Sequence, residues 1–209
     1  METQALTLID PKFLQIPQEH WALLMPFLLV FGGACLSLAL SVVVPGRYTM
    51  VIPGVTFVSL VAAIASAMCA ATKAPEVLSS GMLLSDAFTH YASVVFLSTS
   101  ALVTLYSHRY LQRQNLNYPE YYILLALSAL GMMLMASSLN LILLFIALEL
   151  MSISVYVLVG FRRNDRRSNE ASVKYYILGS AASAILLYGA ALLYGATLSV
   201  DIREIALRA

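Results

Sequence analysis

The sequence has little charge and little cysteine. Only 11% of its 209 residues are charged, whereas 60% are hydrophobic. The 12 basic and 11 acidic residues leave a formal net charge of +1, which excludes a strong electrostatic attraction to nucleic acid. The two cysteines, Cys35 and Cys69, both lie in apolar stretches. We expect them to pack as small hydrophobic side chains, and we expect neither a disulfide framework nor a cysteine-based metal site.

Motifs that bind nucleotides or redox groups are also missing. The sequence has no Gly-rich dinucleotide fingerprint, no phosphate-binding loop, no Cys-x-x-Cys pair and no cysteine run for an iron–sulfur cluster. His20, His90 and His108 lie far apart at the ends of apolar stretches, which favours packing or hydrogen bonding over metal or haem ligation. We therefore expect this chain to bind no cofactor or metal and to carry no redox centre of its own.

Six long apolar stretches are present instead. Each is predicted to be a helix, because a helix satisfies its own backbone hydrogen bonds in lipid. A closed barrel would need short alternating segments, which are not seen. The sequence therefore predicts an all-α, polytopic transmembrane bundle over residues 21–196. The predicted spans are residues 21–44, 50–71, 87–106, 120–136, 139–160 and 171–194.

Two segments flank the predicted bundle. Residues 1–20 contain acids and prolines but no basic n-region, so a cleaved signal peptide is not expected. Residues 197–209 form a tail that is either a short amphipathic helix at the membrane surface or the start of a further segment. Neither flank contains a motif of known chemistry.

Basic residues in the connections predict the orientation. The first, third and fifth connections carry seven Lys or Arg, and the amino terminus, second connection and tail carry four. Because basic connections stay on the cytoplasmic side, both ends of the bundle sequence are predicted to be extracytoplasmic. The four arginines between Arg162 and Arg167 supply the whole of this difference. A role in setting the membrane orientation is enough to explain this basic run, but the run could also bind lipid headgroups or a partner subunit.

One charged side chain interrupts the fifth predicted span. Residues 139–160, LNLILLFIALELMSISVYVLVG, contain Glu149 near their middle and no other charge. A charged residue at the bilayer centre costs about 2.5–3.5 kcal/mol on insertion scales, so a partner, a polar cavity or protonation must offset it. Intramembrane acids usually mark proton or ion paths. The alternative is a neutral carboxyl that hydrogen-bonds to a serine of a neighbouring helix.

Lys174 is the candidate cation for this carboxylate. It lies about one turn inside the sixth predicted span, which we expect Ser168 or Asn169 to cap. Glu170 lies four residues before Lys174, so a local surface ion pair explains the lysine equally well. On the fifth span, Ser152 and Tyr156 share a face with Glu149 and could extend a polar path toward the fifth connection.

Two segments closely resemble antiporter-like subunit N of respiratory complex I, NADH–quinone oxidoreductase. They are LLFIALELMSISVYVLVGFRR and RRSNEASVKYYILGSAASAILLYGAALLYGA. The resemblance is specific across residues 120–196 and weaker across residues 86–111. It implies that the chain is an N-terminal portion of such a subunit, or that another chain supplies the rest, because family members continue with further spans that carry additional lysines.

The resemblance also implies a function. In this family the acid of the fifth span forms a charge pair with lysines of later helices, and the pair controls proton uptake. Glu149 matches that acid, and Lys174 matches the lysine of the sixth span. The chain would then be a proton-translocating part of an enzyme whose other subunits use NADH and quinone. Its expected partners are other membrane-arm subunits and membrane lipid, and its expected location is the cell inner (plasma) membrane.

Two other functions remain open at this point. A subunit of a multisubunit sodium/proton antiporter would use the same buried acid without a redox partner. A non-catalytic membrane scaffold would use Glu149 only to fix the packing of its helices. Transport in the absence of NADH would identify the antiporter, and unchanged transport after Glu149→Gln would identify the scaffold.

Overall fold

The fold is a bundle of long helices. The computed structural model describes residues 18–43, 50–78, 81–114 and 116–208. Within these ranges, six long helices are each long and apolar enough to cross a membrane, which confirms the predicted fold class. They are α1 (Gln18–Val43), α2 (Val51–Ala70), α3 (Ala87–Arg113), α4 (Pro119–Ser137), α5 (Leu141–Val159) and α6 (Arg166–Thr197). Two short strands, β1 (Glu76–Leu78) and β2 (Leu83–Ser85), and a short final helix, α7 (Ile202–Arg208), complete the described elements.

Helix α6 begins earlier than its apolar stretch indicates. We expected Ser168 or Asn169 to cap it, but the structure shows that Asp165 is the N-cap. The Asp165 carboxylate accepts a hydrogen bond from the backbone N–H of Arg167 at 2.9 Å. A carboxylate satisfies the free N–H groups of a first turn, so the helix extends into polar sequence outside the apolar run.

The core of the bundle is built by α1 to α4. Its fully buried residues include Val30 of α1, Leu60 of α2, Leu97 of α3 and Met133 of α4. Two polar groups inside it pair with each other, Ser37 Oγ and Thr56 Oγ1, which lie 3.1 Å apart. Helix α5 packs on this core through α4, and α6 packs on the far side of α5. Only 6% of the α6 span is buried, so α6 is an edge helix of this bundle.

The second connection contains a β-hairpin that the sequence analysis did not predict. Strands β1 and β2 pair antiparallel, with Gly81 in the turn at φ +96°, a conformation that glycine adopts readily. Leu78 and Leu83 of the hairpin are buried against Leu23 of α1. A strand of three residues is too short to show an alternating pattern in the sequence. These two strands are stabilised by segments that are distant in the sequence.

One end of the bundle is held together by backbone hydrogen bonds. The N–H of Leu139 donates to the carbonyl of Met82 at 2.8 Å, which joins the hairpin to the α4–α5 connection. The N–H of Leu141 donates to the carbonyl of Val200, and the N–H of Ile202 donates to the carbonyl of Leu139, both at 2.9 Å. The tail therefore folds back onto this end of the bundle as a short helix.

The histidines and cysteines lie apart from one another. His20 Nε2 lies 2.8 Å from Glu76 Oε1, His90 Nε2 lies 2.9 Å from Ser85 Oγ, and His108 Nδ1 lies 3.4 Å from the Tyr122 hydroxyl. Each histidine therefore has its own hydrogen-bond partner. Cys35 and Cys69 are free thiols on the exposed surface of the bundle.

Candidate functional site

Glu149 lies near the middle of α5 and is half-buried. Its Oε1 atom is buried and has no hydrogen-bond partner among the described residues. Two residues before it, Ala147 is completely buried, and three residues after it, Ser152 is 8% exposed. A buried polar atom without a hydrogen-bond partner is costly in a folded protein, so Glu149 is a candidate for a functional group.

Helix α4 fixes the position of this part of α5. A Cβ atom at Gly131 of α4 would lie 2.8 Å from the carbonyl oxygen of Ala147 and 2.7 Å from the amide nitrogen of Met151. These two residues flank Glu149, so the backbones of α4 and α5 make their close contact at the turn that carries the acid. Helices α4 and α5 therefore form a closely packed pair. Gly131 was not singled out from the sequence, although the small residues beside it in SALG are a recognisable signal for close helix approach.

Tyr156 fills the space between α5 and α6. Its side chain is buried, and its hydroxyl lies directly against Gly179, where no Cβ occupies the space. Its ring makes edge contacts with Tyr175 at 5.0 Å and with Tyr176 at 5.8 Å between centroids. Gly179 therefore accommodates an aromatic ring.

Two hydrogen bonds set the register between α5 and α6. Ser172 Oγ donates to the carbonyl of Tyr156, and Ser168 Oγ donates to the carbonyl of Val159, both at 2.8 Å. In this antiparallel register Lys174 lies level with Tyr156 to within a turn. The same register places Lys174 level with Ser154, so at roughly 1.5 Å per residue Lys174 is about 8 Å from Glu149 along the helix axis.

Lys174 forms its ion pair within α6. Its Nζ donates to Glu170 Oε1 at 2.6 Å, and the two side chains are 70% and 57% exposed. The structure therefore does not bring Glu149 and Lys174 into contact. It places Ser152 between their levels and Tyr156 within a turn of the level of Lys174. The local pair with Glu170, the alternative left open by the sequence, is the interaction observed here.

A second ion pair lies at the opposite end of the bundle, in the tail. Arg203 Nη2 donates to Asp201 Oδ2 at 2.7 Å. The side-chain hydrogen bond from Arg203 lowers the pKa of Asp201 from 3.8 to about 2. Asp201 also forms a backbone bridge with Asn140, the residue that caps α5 through hydrogen bonds to Ile142 and Leu143. This pair therefore stabilises the join between the tail and the start of α5.

Known proteins share both the sequence and the fold. A family model described as "NADH:quinone oxidoreductase/Mrp antiporter, TM" matches residues 137–209, the part that contains Glu149 and Lys174. The chain is 50% identical over 131 residues to NADH-quinone oxidoreductase subunit N 1 of Chloroherpeton thalassium, covering 63% of this chain and 28% of that protein. It is 39% identical over 180 residues to subunit N 2 of Rhizobium meliloti, covering 85% of this chain and 37% of that protein. The chain belongs to the family of NADH–quinone oxidoreductase subunit N.

Solved structures agree with this membership in subunit N. A chain of respiratory complex I from Thermus thermophilus superposes with a TM-score of 0.71 at 29% identity, covering 85% of this chain and 38% of that chain. A chain of an archaeal membrane-bound sulfane sulfur reductase superposes with a TM-score of 0.77, and one of the Mrp complex from Dietzia with 0.66. Both are 22% identical, so they show a shared fold alone. The resemblance inferred from the sequence is confirmed, and the chain spans about a third of the length of the curated relatives it matches.

Proposed function

We propose that this chain is part of a membrane-arm subunit of NADH–quinone oxidoreductase and transfers protons through Glu149. The observation that carries the proposal is the buried, unpartnered Oε1 atom of Glu149 in the middle of a membrane span. Family membership supports the choice of enzyme, and the matched family region contains the residues concerned. Quinone reduction by NADH would take place in other subunits of the same complex.

The polar side chains near Glu149 suggest a direction for the proton. Ser152 lies one turn from Glu149 on α5, and the Tyr156 hydroxyl reaches Gly179 of α6, which is level with Glu149. Hydroxyl groups both donate and accept hydrogen bonds, so they can pass a proton along a short chain that includes water. We infer a path that runs from Glu149 past Ser152 and Tyr156 toward the α5–α6 connection.

Lys174 supplies the switch in this proposal. In the state described here it is paired with Glu170, and in the proposed cycle this is the state in which Glu149 carries its proton. When Lys174 leaves Glu170 and turns along α6 toward Tyr156, its positive charge approaches Glu149 and favours the ionised carboxylate. Movement between these two positions would load and release one proton. A membrane potential opposes each charge by about 2.3 kcal/mol per 100 mV, a cost that an ion-pair switch of a few kcal/mol can match.

Proton uptake by membrane vesicles tests this function. NADH-driven uptake, quinone reduction and the amount of assembled complex are measured together for the wild type, Glu149→Gln and Glu149→Asp. We expect Glu149→Gln to assemble and to lose proton uptake, and Glu149→Asp to keep part of it. Wild-type uptake in the Gln variant would contradict the proposal.

A sodium/proton antiporter is the second candidate, because the matched family model is described by both names. It predicts sodium-dependent proton movement by the native complex without NADH. A scaffold role predicts that Glu149→Gln lowers the amount of assembled complex while uptake per complex stays unchanged. The three functions therefore differ in these same measurements.

A further inference from the structure

A groove lies at the end of the bundle where the α3–α4 and α5–α6 connections meet. Its volume is about 650 Å³. It is lined by side chains from both connections, among them Gln114, Tyr118, Glu120, Phe161, Arg162 and Arg163. None of these residues takes part in the proposed proton path, and the groove lies beyond the apolar length of the helices.

Aromatic rings form one wall of the groove. Phe161 makes edge contacts with Tyr118 at 6.1 Å and with Tyr121 at 5.5 Å between ring centroids. Rings with one polar end are favoured where the hydrocarbon of a bilayer meets its headgroups. The wall therefore places the groove at the depth of lipid headgroups and glycerol.

Two arginines form the charged side of the groove. Arg162 Nη2 donates to Gln114 Oε1 at 3.0 Å, which holds this guanidinium across the two connections. The guanidinium of Arg163 is exposed and forms no hydrogen bond or ion pair with a residue that the structure describes. One carboxylate, Glu120, also lines the groove. The carboxylate of Asp165 is occupied as the cap of α6. The positive charges of the arginines in this connection therefore exceed the negative charges left to balance them.

We propose that this groove binds the phosphate group of an anionic membrane phospholipid. A guanidinium presents parallel N–H donors that match two phosphate oxygens, and Arg163 has its donors available. Basic pockets between the ends of transmembrane helices are suited to anionic headgroups, and the aromatic wall suits the glycerol and upper acyl chains. The bound lipid would join the α3–α4 connection to the connection between α5 and α6. This inference does not depend on proton transfer.

The test compares lipid retention by variants of one connection. The protein is purified from membranes, delipidated in detergent and mixed with phosphatidylglycerol or phosphatidylcholine, and native mass spectrometry counts the retained lipids. Arg162→Gln/Arg163→Gln removes the groove arginines. Arg166→Gln/Arg167→Gln is the matched control, because it removes the same charge from the same connection outside the groove lining. Arg162→Lys/Arg163→Lys keeps the charge, and with it the topology signal, while losing the guanidinium fork.

We expect the wild type to retain phosphatidylglycerol in preference to phosphatidylcholine. The Arg162→Gln/Arg163→Gln variant should bind it about tenfold more weakly, the control should lose much less, and the Lys variant should lie between them. Equal losses in the groove variant and the control would overturn the proposal, because they would show general surface attraction. Displacement of the lipid by inorganic phosphate, or occupation of the groove by an acidic segment of a neighbouring subunit in the intact complex, would overturn it as well.

Discussion

Gly131 of α4 lies against the backbone of Met151 of α5, and a Cβ atom there would come within 2.7 Å of the Met151 amide nitrogen. The close contact occurs next to Glu149. It holds the acid at a fixed depth beside a helix that belongs to the core of the bundle.

Replacement of Gly131 by alanine should destabilise the bundle. The added methyl group would meet backbone atoms, which cannot rotate away as a side chain could, so α4 and α5 must separate. Overpacking of this kind costs about 1–3 kcal/mol. The amount of assembled protein and its unfolding temperature in detergent measure the effect.

Gly189→Ala in α6 is the matched control for this substitution. A Cβ atom at Gly189 would have nothing within 4 Å, and alanine is the better helix former. We expect this control to be neutral or slightly stabilising. Equal destabilisation by the two substitutions would show that the contact between α4 and α5 is not what Gly131 provides.

Tyr156→Phe should slow proton transfer while the complex assembles normally. The ring stays packed against Tyr175 and Tyr176, and only the hydroxyl beside Gly179 is lost. We expect proton uptake to fall by roughly tenfold, equivalent to about 1.4 kcal/mol in the barrier. Tyr188→Phe, at an exposed position of α6, is the control and should leave uptake unchanged. Full uptake in Tyr156→Phe would remove this hydroxyl from the path.

The two partners of the α6 ion pair should differ in their effect on transport. Lys174→Gln removes the mobile charge and should greatly reduce proton uptake. Glu170→Gln should leave most uptake intact and change stability little, because an exposed pair four residues apart contributes only about 0.3–0.5 kcal/mol. Uptake and thermal stability are measured for each variant in the same membranes. Equal loss of uptake in both would mean that the pair acts as a fixed unit, contrary to the proposed switch.

Much of this arrangement could be predicted from apolar length and charge alone. Long apolar runs identified the six spans, and the isolated charge identified Glu149. The start of α6 could not be placed, because its cap, Asp165, lies in polar sequence outside the apolar run. The sequence also could not decide whether Lys174 pairs with Glu149 or with Glu170. That choice depends on the register between α5 and α6, which hydrogen bonds from Ser168 and Ser172 set.

The pair between Asp201 and Arg203 should make the stability of the tail depend on acid pH. The folded pKa of Asp201 is lowered to about 2 from 3.8, so its contribution is present above the ordinary pKa and is lost as the pH falls through about 2. Arg203→Gln should therefore be less stable than the wild type near neutral pH, and this difference should shrink as the pH falls toward about 2. Unfolding temperatures across this range provide the measurement. A difference that stays constant with pH would contradict this account of the ion pair.

The protonation of Glu149 during turnover tests the central claim most directly. Infrared difference spectra of the native complex in membranes, taken before and after NADH is added, report carboxyl groups that gain or lose a proton. The account predicts a neutral-carboxyl band in the resting state that decreases on turnover, is absent in Glu149→Gln and fails to decrease in Lys174→Gln. A spectrum in which no carboxyl change depends on Glu149 would contradict it, and the carboxyl would then be a structural group of the bundle.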